Sequence, residues 1–267
     1  MTRTRTTWSK AGTWIAGTAL AALLALTGYS LLGDEGDEAS VSGKGGTPSQ
    51  VTGSPTGPPP TSYDVPEDWT EPERWTALPR GERVDEQGNQ IGFPHTREGA
   101  VALLAATNNH SAEGEHSLGD EKNRLFHAYV SPEDQTAENL RKLAEMTRKT
   151  DERTARRMGV EAGQPLPAGA YIRTVTIGYK IYVASDDEVV AWVLARTVEK
   201  TGETEQESSA YIRGILAARW ENDDWKMSGA VSRRFVPEAT SRPGPKIAAP
   251  GDAAFNREGW TAIRAAS

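Results

Sequence analysis

Two imidazoles and two carboxylates fall within the seven residues of HSAEGEH, supplied by His110, Glu113, Glu115 and His116. Imidazole and carboxylate together suit zinc or copper. The spacing is not H-E-x-x-H, and a loop fixes ligand geometry poorly, so a solvated polar loop without a metal is expected. His95 and His127 complete the set of four histidines. His95 stands just ahead of a helical stretch, where packing or capping is its expected role. His127 is placed to line the interior between helices and strands. Acid–base work there would need a fixed acid, and Asp186, Asp187, Asp223 and Asp224 all fall in turn-forming stretches. There is no G-x-S-x-G elbow, Walker loop or G-x-G-x-x-G after a strand. The chain has no cysteine, which removes disulfides, thiolate metal sites, iron–sulfur clusters and a cysteine nucleophile. No enzymatic activity and no cofactor are expected.

Two further groups of residues bear on binding. The stretch 141–157 carries Arg141, Lys142, Arg148, Lys149, Arg153, Arg156 and Arg157, interleaved with Glu145, Asp151 and Glu152. Such a pattern makes a solvated helix face laced with i,i+4 ion pairs. Arg148, Arg153 and Arg157 are the candidate interaction face for an anionic partner. Trp192, Trp220 and Trp225 fall among strands, where large aromatics are ordinarily core. With His127 and Tyr179, Trp192 and Trp220 form the candidate pocket lining if they face an open interior.

These side chains need a frame. Thr96 is a plausible N-cap for a helix with Ala100, Val101, Leu103, Leu104 and Ala105 on its apolar surface. A second helix is expected around 122–129. A third should start at Ser131-Pro132-Glu133-Asp134, run to about Met158 and stop at Gly159. After the loop EAGQPLPAG the period changes to two. Val175, Ile177, Tyr179, Ile181 and Val183 are then expected to face a core. Turn signals at Ser185–Glu188, in TGETEQESS and at Glu221-Asn222-Asp223-Asp224 divide the remainder into four hairpin-connected strands. The expected class is α+β, with two or three helices on a curved four-stranded antiparallel sheet spanning 65–236. Trp69 and Trp75 should strap onto it. The tail 237–267 reads as irregular, with a short helix docking by Phe255, Trp260 and Ile263.

The N-terminal part is of another kind. Residues 1–10 are basic, and residues 11–33 contain no charge. At about 1.5 Å per residue this run spans roughly 34 Å as a helix, enough for a hydrocarbon core of about 30 Å. Arg3, Arg5 and Lys10 precede it, while Asp34, Glu35, Asp37 and Glu38 follow. The expected arrangement is a single-pass anchor with its N-terminus in the cytoplasm. A cleaved signal peptide is the competing reading, although no A-x-A exit is present. Residues 34–64 are rich in Gly, Pro, Ser and Thr and read as a disordered tether. The formal net charge of −7 gives no reason to expect direct nucleic-acid binding.

Helices followed by long antiparallel strands and a W-x-x-x-x-W turn (Trp220 to Trp225) make residues 92–236 resemble the nuclear-transport-factor-2-like cone fold. The basic start, single anchor, tether and GFPHTREGAVA block at 92–102 are similar to membrane-anchored actinomycete proteins of unknown function. Cone-fold domains of this kind act as assembly factors in type IV secretion and conjugation. The resemblance thus implies a non-catalytic, extracytoplasmic scaffold or assembly subunit of a cell-envelope complex. Its partners would be the lipid bilayer, envelope proteins and further copies of itself. The alternative is a ligand-binding or sensory domain that uses a cone-fold pocket.

Overall fold

This computed structural model describes residues 69–264, so the expected anchor at 11–33 and tether at 34–64 lie outside the described residues. Among the described residues, no helix is long and apolar enough to cross a membrane. The chain forms short strands β1 (Trp75–Ala77), β2 (Arg83–Val84) and β3 (Gln90–Ile91), then helix α1 (Arg97–Asn108). Strand β4 (His110–Glu113), α2 (Leu118–Tyr129), a 3-10 turn at Pro132–Asp134 and the long α3 (Ala137–Met158) follow. Strands β5 (Tyr171–Ala184), β6 (Glu188–Lys200), β7 (Ser208–Glu221) and β8 (Asp224–Met227) come next, then α4 (Gly229–Thr240), α5 (Ala253–Arg257) and β9 (Thr261–Arg264).

The class is α+β, and the sheet is larger than the sequence indicated. Seven strands join in the order β1-β9-β5-β6-β7-β8, with β4 also paired to β5. Three long hairpin-connected segments supply β5 to β7, and the fourth gives only the four residues of β8, all antiparallel. The chain from Gly229, expected to continue that strand to 236, instead turns into α4 because Ser228 caps a helix there. Strand β4 covers the start of β5 at Tyr171–Thr174, and β9 covers Gly178 and Tyr179 on the same edge. Strand β1 pairs with β9 in parallel. The β7–β8 turn places both Asn222 and Asp223 at positive φ, the conformation a tight two-residue hairpin turn requires.

Helix boundaries follow local chemistry. Thr96 Oγ1 accepts from Gly99 N at 3.0 Å and caps α1. Ser117 and Asp120 form a reciprocal capping box that opens α2 at Leu118, four residues ahead of the expected start at 122. The 3-10 turn uses Pro132, and α3 starts anew at Thr136, whose side chain accepts from Asn139 N at 3.2 Å. Gly159, at φ 71°, closes α3 in the left-handed conformation.

The sheet is buried on both faces, which explains why β6 reads VVAWVLA without alternation. On one face Val189, Ala191, Val193 and Ala195 pack with Leu103 and Leu104 of α1, Leu125 and Phe126 of α2, Leu143 of α3 and Trp225. On the other, Val190, Trp192 and Leu194 pack with Val231 of α4, Phe255, Trp260 and Ala262.

The tail is therefore not an irregular appendage. Its first residues complete α4, its last form β9, and Phe255 and Trp260 are fully buried. Trp75 packs against this second core, and Trp69 lies against Gly251.

The phase of β5 follows the expected one only in part: Tyr179 is buried and Ile177 and Val183 pack against the second core, whereas Val175 and Ile181 do not face inward. Irregularities between Thr176 and Gly178 and between Ile181 and Val183 shift its register. A shift of one residue exchanges the faces of every side chain beyond it. Ahead of both irregularities Ile172, Thr174 and Thr176 are the buried set and Val175 is 52% exposed, while Ile181, at the second irregularity, is 37% exposed. The buried threonines are accommodated by pairing, since the Thr174 and Thr197 hydroxyls lie 2.9 Å apart.

Candidate functional site

A cleft of about 680 Å³ opens between the β4–α2 turn, the start of α2, the middle of α3 and the loop at 162–166. Its walls are built locally. His110 to Glu113 form a strand against β5, and the chain reverses through Gly114, with paired backbone hydrogen bonds between Glu113 and His116 at 3.1 and 3.2 Å. Leu166 N donates to Gly114 O at 2.8 Å, which ties the 162–166 loop to that turn. HSAEGEH is thus a strand and turn rather than a solvated loop. Alternation along β4 buries His110 and Ala112 while Ser111 and Glu113 face solvent. Glu115 and His116 reach the cleft and His110 does not. Among the described residues, no group of three or more His, Asp or Glu side chains converges closely enough for a metal ion.

The lining is amphipathic. Buried Ala112, Leu118 and Ala155, with half-buried Leu166, make its apolar floor. Glu115, His116, Asp120, Arg148 and Glu152 stand around the rim. Arg148 and Glu152 pair across one turn of α3. Asp151 lies between floor and rim. Its Oδ1 accepts from Gly119 N at 2.8 Å and its Oδ2 from Ser117 Oγ at 3.2 Å, so α3 supplies an anion to the positive end of α2. Burial nevertheless holds the Asp151 carboxyl above its ordinary range.

Behind the cleft sits a buried polar group. Lys122 is 2% exposed and donates to Thr150 Oγ1 at 3.2 Å. Desolvation lowers its ammonium to about 8, and Asp151 works against that shift. His110 donates through Nδ1 to the Asn108 carbonyl at 2.9 Å. Burial first, and then the nearby Lys122 charge, push its imidazole down to about 4. It is neutral at pH 7.

The residues expected to line one pocket are dispersed. His127 is exposed on α2, its Nδ1 3.3 Å from Gln135 Oε1. Tyr179 is buried, with its hydroxyl 3.1 Å from Thr76 Oγ1. Trp192 belongs to the second core, under Gly244 and beneath the Arg213 guanidinium at 5.1 Å. Trp220 packs on the opposite, helix-covered face and stacks on His95 at 4.0 Å. The sheet itself separates the two tryptophans.

The three arginines do not share a face either. At about 100° per residue, Arg157 lies roughly half a turn round α3 from Arg148. Arg148 stands over the cleft, Arg153 is exposed, and Arg157 pairs with buried Glu199 at 3.0 Å. Sequence proximity brought them together where helical angle separates them. The expected i,i+4 lacing is present as Glu138–Lys142 at 2.6 Å and Glu145–Lys149 at 2.7 Å.

His95 has the packing role expected of it and also an acid. Its Nε2 faces Asp187 Oδ1 at 2.9 Å and the Asp186 carbonyl at 3.0 Å, two acceptors that place the proton on that nitrogen. Neither His95 nor Asp187 lines the cleft. The residues that sequence reasoning passed over are Ser117, Gly119, Lys122 and Asp151. The Ser117-x-x-Asp120 spacing was the available signal, since it marks a helix start beside the turn.

No protein-family model, curated protein or solved structure matches this chain.

Proposed function

We propose that this protein is a non-catalytic recognition domain, held outside the cell membrane by the uncharged run at 11–33, that binds a small ligand in the cleft between α2 and α3. The observation that carries this reading is the cleft itself. A space of about 680 Å³ with an apolar floor and a polar rim has the size and mixed lining of a small-molecule site. The Ser117 hydroxyl on its lining is taken up with Asp120 and Asp151 in capping α2. The test is thermal unfolding of the full-length chain against a small-molecule collection, with Ala162→Trp as control. Ala162 is an exposed lining residue, so the indole would fill the opening at little cost to folding. Ligands that raise the Tm of the parent and leave the variant unchanged support the reading, because binding only the native state stabilises it by mass action.

A second reading, an assembly subunit of a cell-envelope complex, is favoured by the outer edge of β5. Beyond Tyr179 this strand has no pairing with β9, and Ile181 and Tyr182 are 37% and 38% exposed there. An exposed edge with apolar side chains is a template for strand addition. In-cell crosslinking followed by affinity capture from membranes, with Ile181→Lys and Tyr182→Lys as controls, checks it.

A further inference from the structure

The charge around the cleft is lopsided. Glu115, Asp120, Asp151 and Glu152 line it, and among the described residues Arg148 is the one Lys or Arg side chain that does. Arg148 is already engaged by Glu152. Burial holds Asp151 in a state where its negative charge is poorly solvated, and a cation beside it would relieve that cost.

Asp120 and Asp151 both meet the Ser117 hydroxyl, at 3.0 and 3.2 Å, and Glu115 and Glu152 do not join them in one cluster. Among the described residues, no three acidic or imidazole groups approach one point closely enough for a metal ion. A point charge therefore has no cage here. An extended cation would meet the carboxylates in turn, and the methylenes between its charges would lie on Ala112, Leu118 and Ala155.

We infer that the cleft takes an amphipathic organic cation of the polyamine class. This inference rests on the cleft being the ligand site. Ammonium groups pair with the rim carboxylates, and the hydrocarbon segments cover the apolar floor. Anionic ligands of the same length are rejected, since they would meet Glu115, Asp120 and Asp151 while Arg148 and Glu152 compensate each other.

The test is calorimetric titration of the full-length protein in detergent at 150 mM salt, with spermidine, neutral 1,8-octanediol and the dianion suberate as probes. The variants are Glu115→Gln and Glu152→Gln on the rim, with Ala162→Trp across the opening. The expected result is one-to-one binding of spermidine, a rise in Kd of about fivefold for each rim variant, and loss of binding in Ala162→Trp. Spermidine binding that survives Ala162→Trp would be general attraction to an acidic protein and would overturn the inference. Binding of suberate or octanediol but not spermidine, abolished by Ala162→Trp, would overturn the cation class and leave the cleft as a ligand site. Failure of all three probes overturns the polyamine assignment, and the small-molecule collection then decides the fate of the cleft separately.

Discussion

Asp151 of α3 reaches across to the first turn of α2, where its Oδ1 accepts from the backbone of Gly119 at 2.8 Å. The approach is so close that a Cβ on residue 119 would stand 2.1 Å from Oδ2. Gly119→Ala is expected to push the two helices apart and cost about 2 kcal/mol. Asp151→Asn should cost less, because a neutral amide oxygen still accepts from Gly119 while the charge at the helix end is lost. Urea unfolding of the two variants measures both, and equal midpoints for Gly119→Ala and parent would refute the contact.

His110 makes stability depend on pH in a definite direction. Its folded value of about 4 lies below the ordinary 6.5, so the unfolded chain binds the extra proton first. The contribution is intact above pH 6.5 and is lost as pH falls from there toward 4. Asp151 and Glu199 are both raised by burial and act in the opposite sense, since their contribution is lost as pH rises. The difference between parent and His110→Asn isolates the histidine, because the asparagine amide can still donate to the Asn108 carbonyl. The stability gap is expected to narrow by about 3 kcal/mol between pH 6.5 and 4.

Lys122 carries a buried ammonium with one hydrogen bond, to Thr150. Its depressed value of about 8 means that below pH 8 the fold bears the full cost of burying the charge. Lys122→Met keeps the side chain's length and removes that cost. We expect the variant to match or exceed the parent by about 1 kcal/mol at pH 7, and to lose the parent's gain in stability between pH 8 and 10.5. Chemical denaturation across that range reads both.

Much of the helical half was legible from caps. Thr96, Gly159 and the apolar spacing in 100–105 act within one turn of chain, and the structure places α1 and the end of α3 where they indicate. The strands were harder for a nonlocal reason. Whether Val175 or Thr176 is buried together with Tyr179 depends on a bulge at Thr176/Gly178, and Gly178 itself lies against Phe255, which is far away in sequence. The second face of the sheet was missed because the strands were read as half-buried, and only the folded tail covers that side. The cleft shares this difficulty. Asp151 looked like one more charge on a solvated helix, and nothing local to it reveals Gly119 on another element.

Truncation after Pro250 should abolish folding. It removes Phe255, Trp260 and Ala262 from the second core together with β9. Loss of two fully buried aromatics alone exceeds about 6 kcal/mol, comparable to the whole stability of many domains. Circular dichroism of the truncated chain would show unfolding without a cooperative transition.

The proposed anchor has its own check. Full-length protein is expected in the membrane fraction, and protein lacking residues 1–33 is expected in the soluble fraction with the same fold by circular dichroism. Mature protein beginning near Gly28 by N-terminal sequencing would instead identify a cleaved signal.

Among the described residues, strand β1 joins the sheet only through β9, in parallel register from Trp75–Ala262 to Ala77–Arg264. With the chain synthesised N-terminus first, β1 has no partner in this sheet until residues 261–264 have followed it. The sheet closes as a clasp whose two halves lie at opposite ends of the described residues. Strands β5 to β8 can zip as hairpins while this clasp is still open, so its closing is a late and separate event of folding.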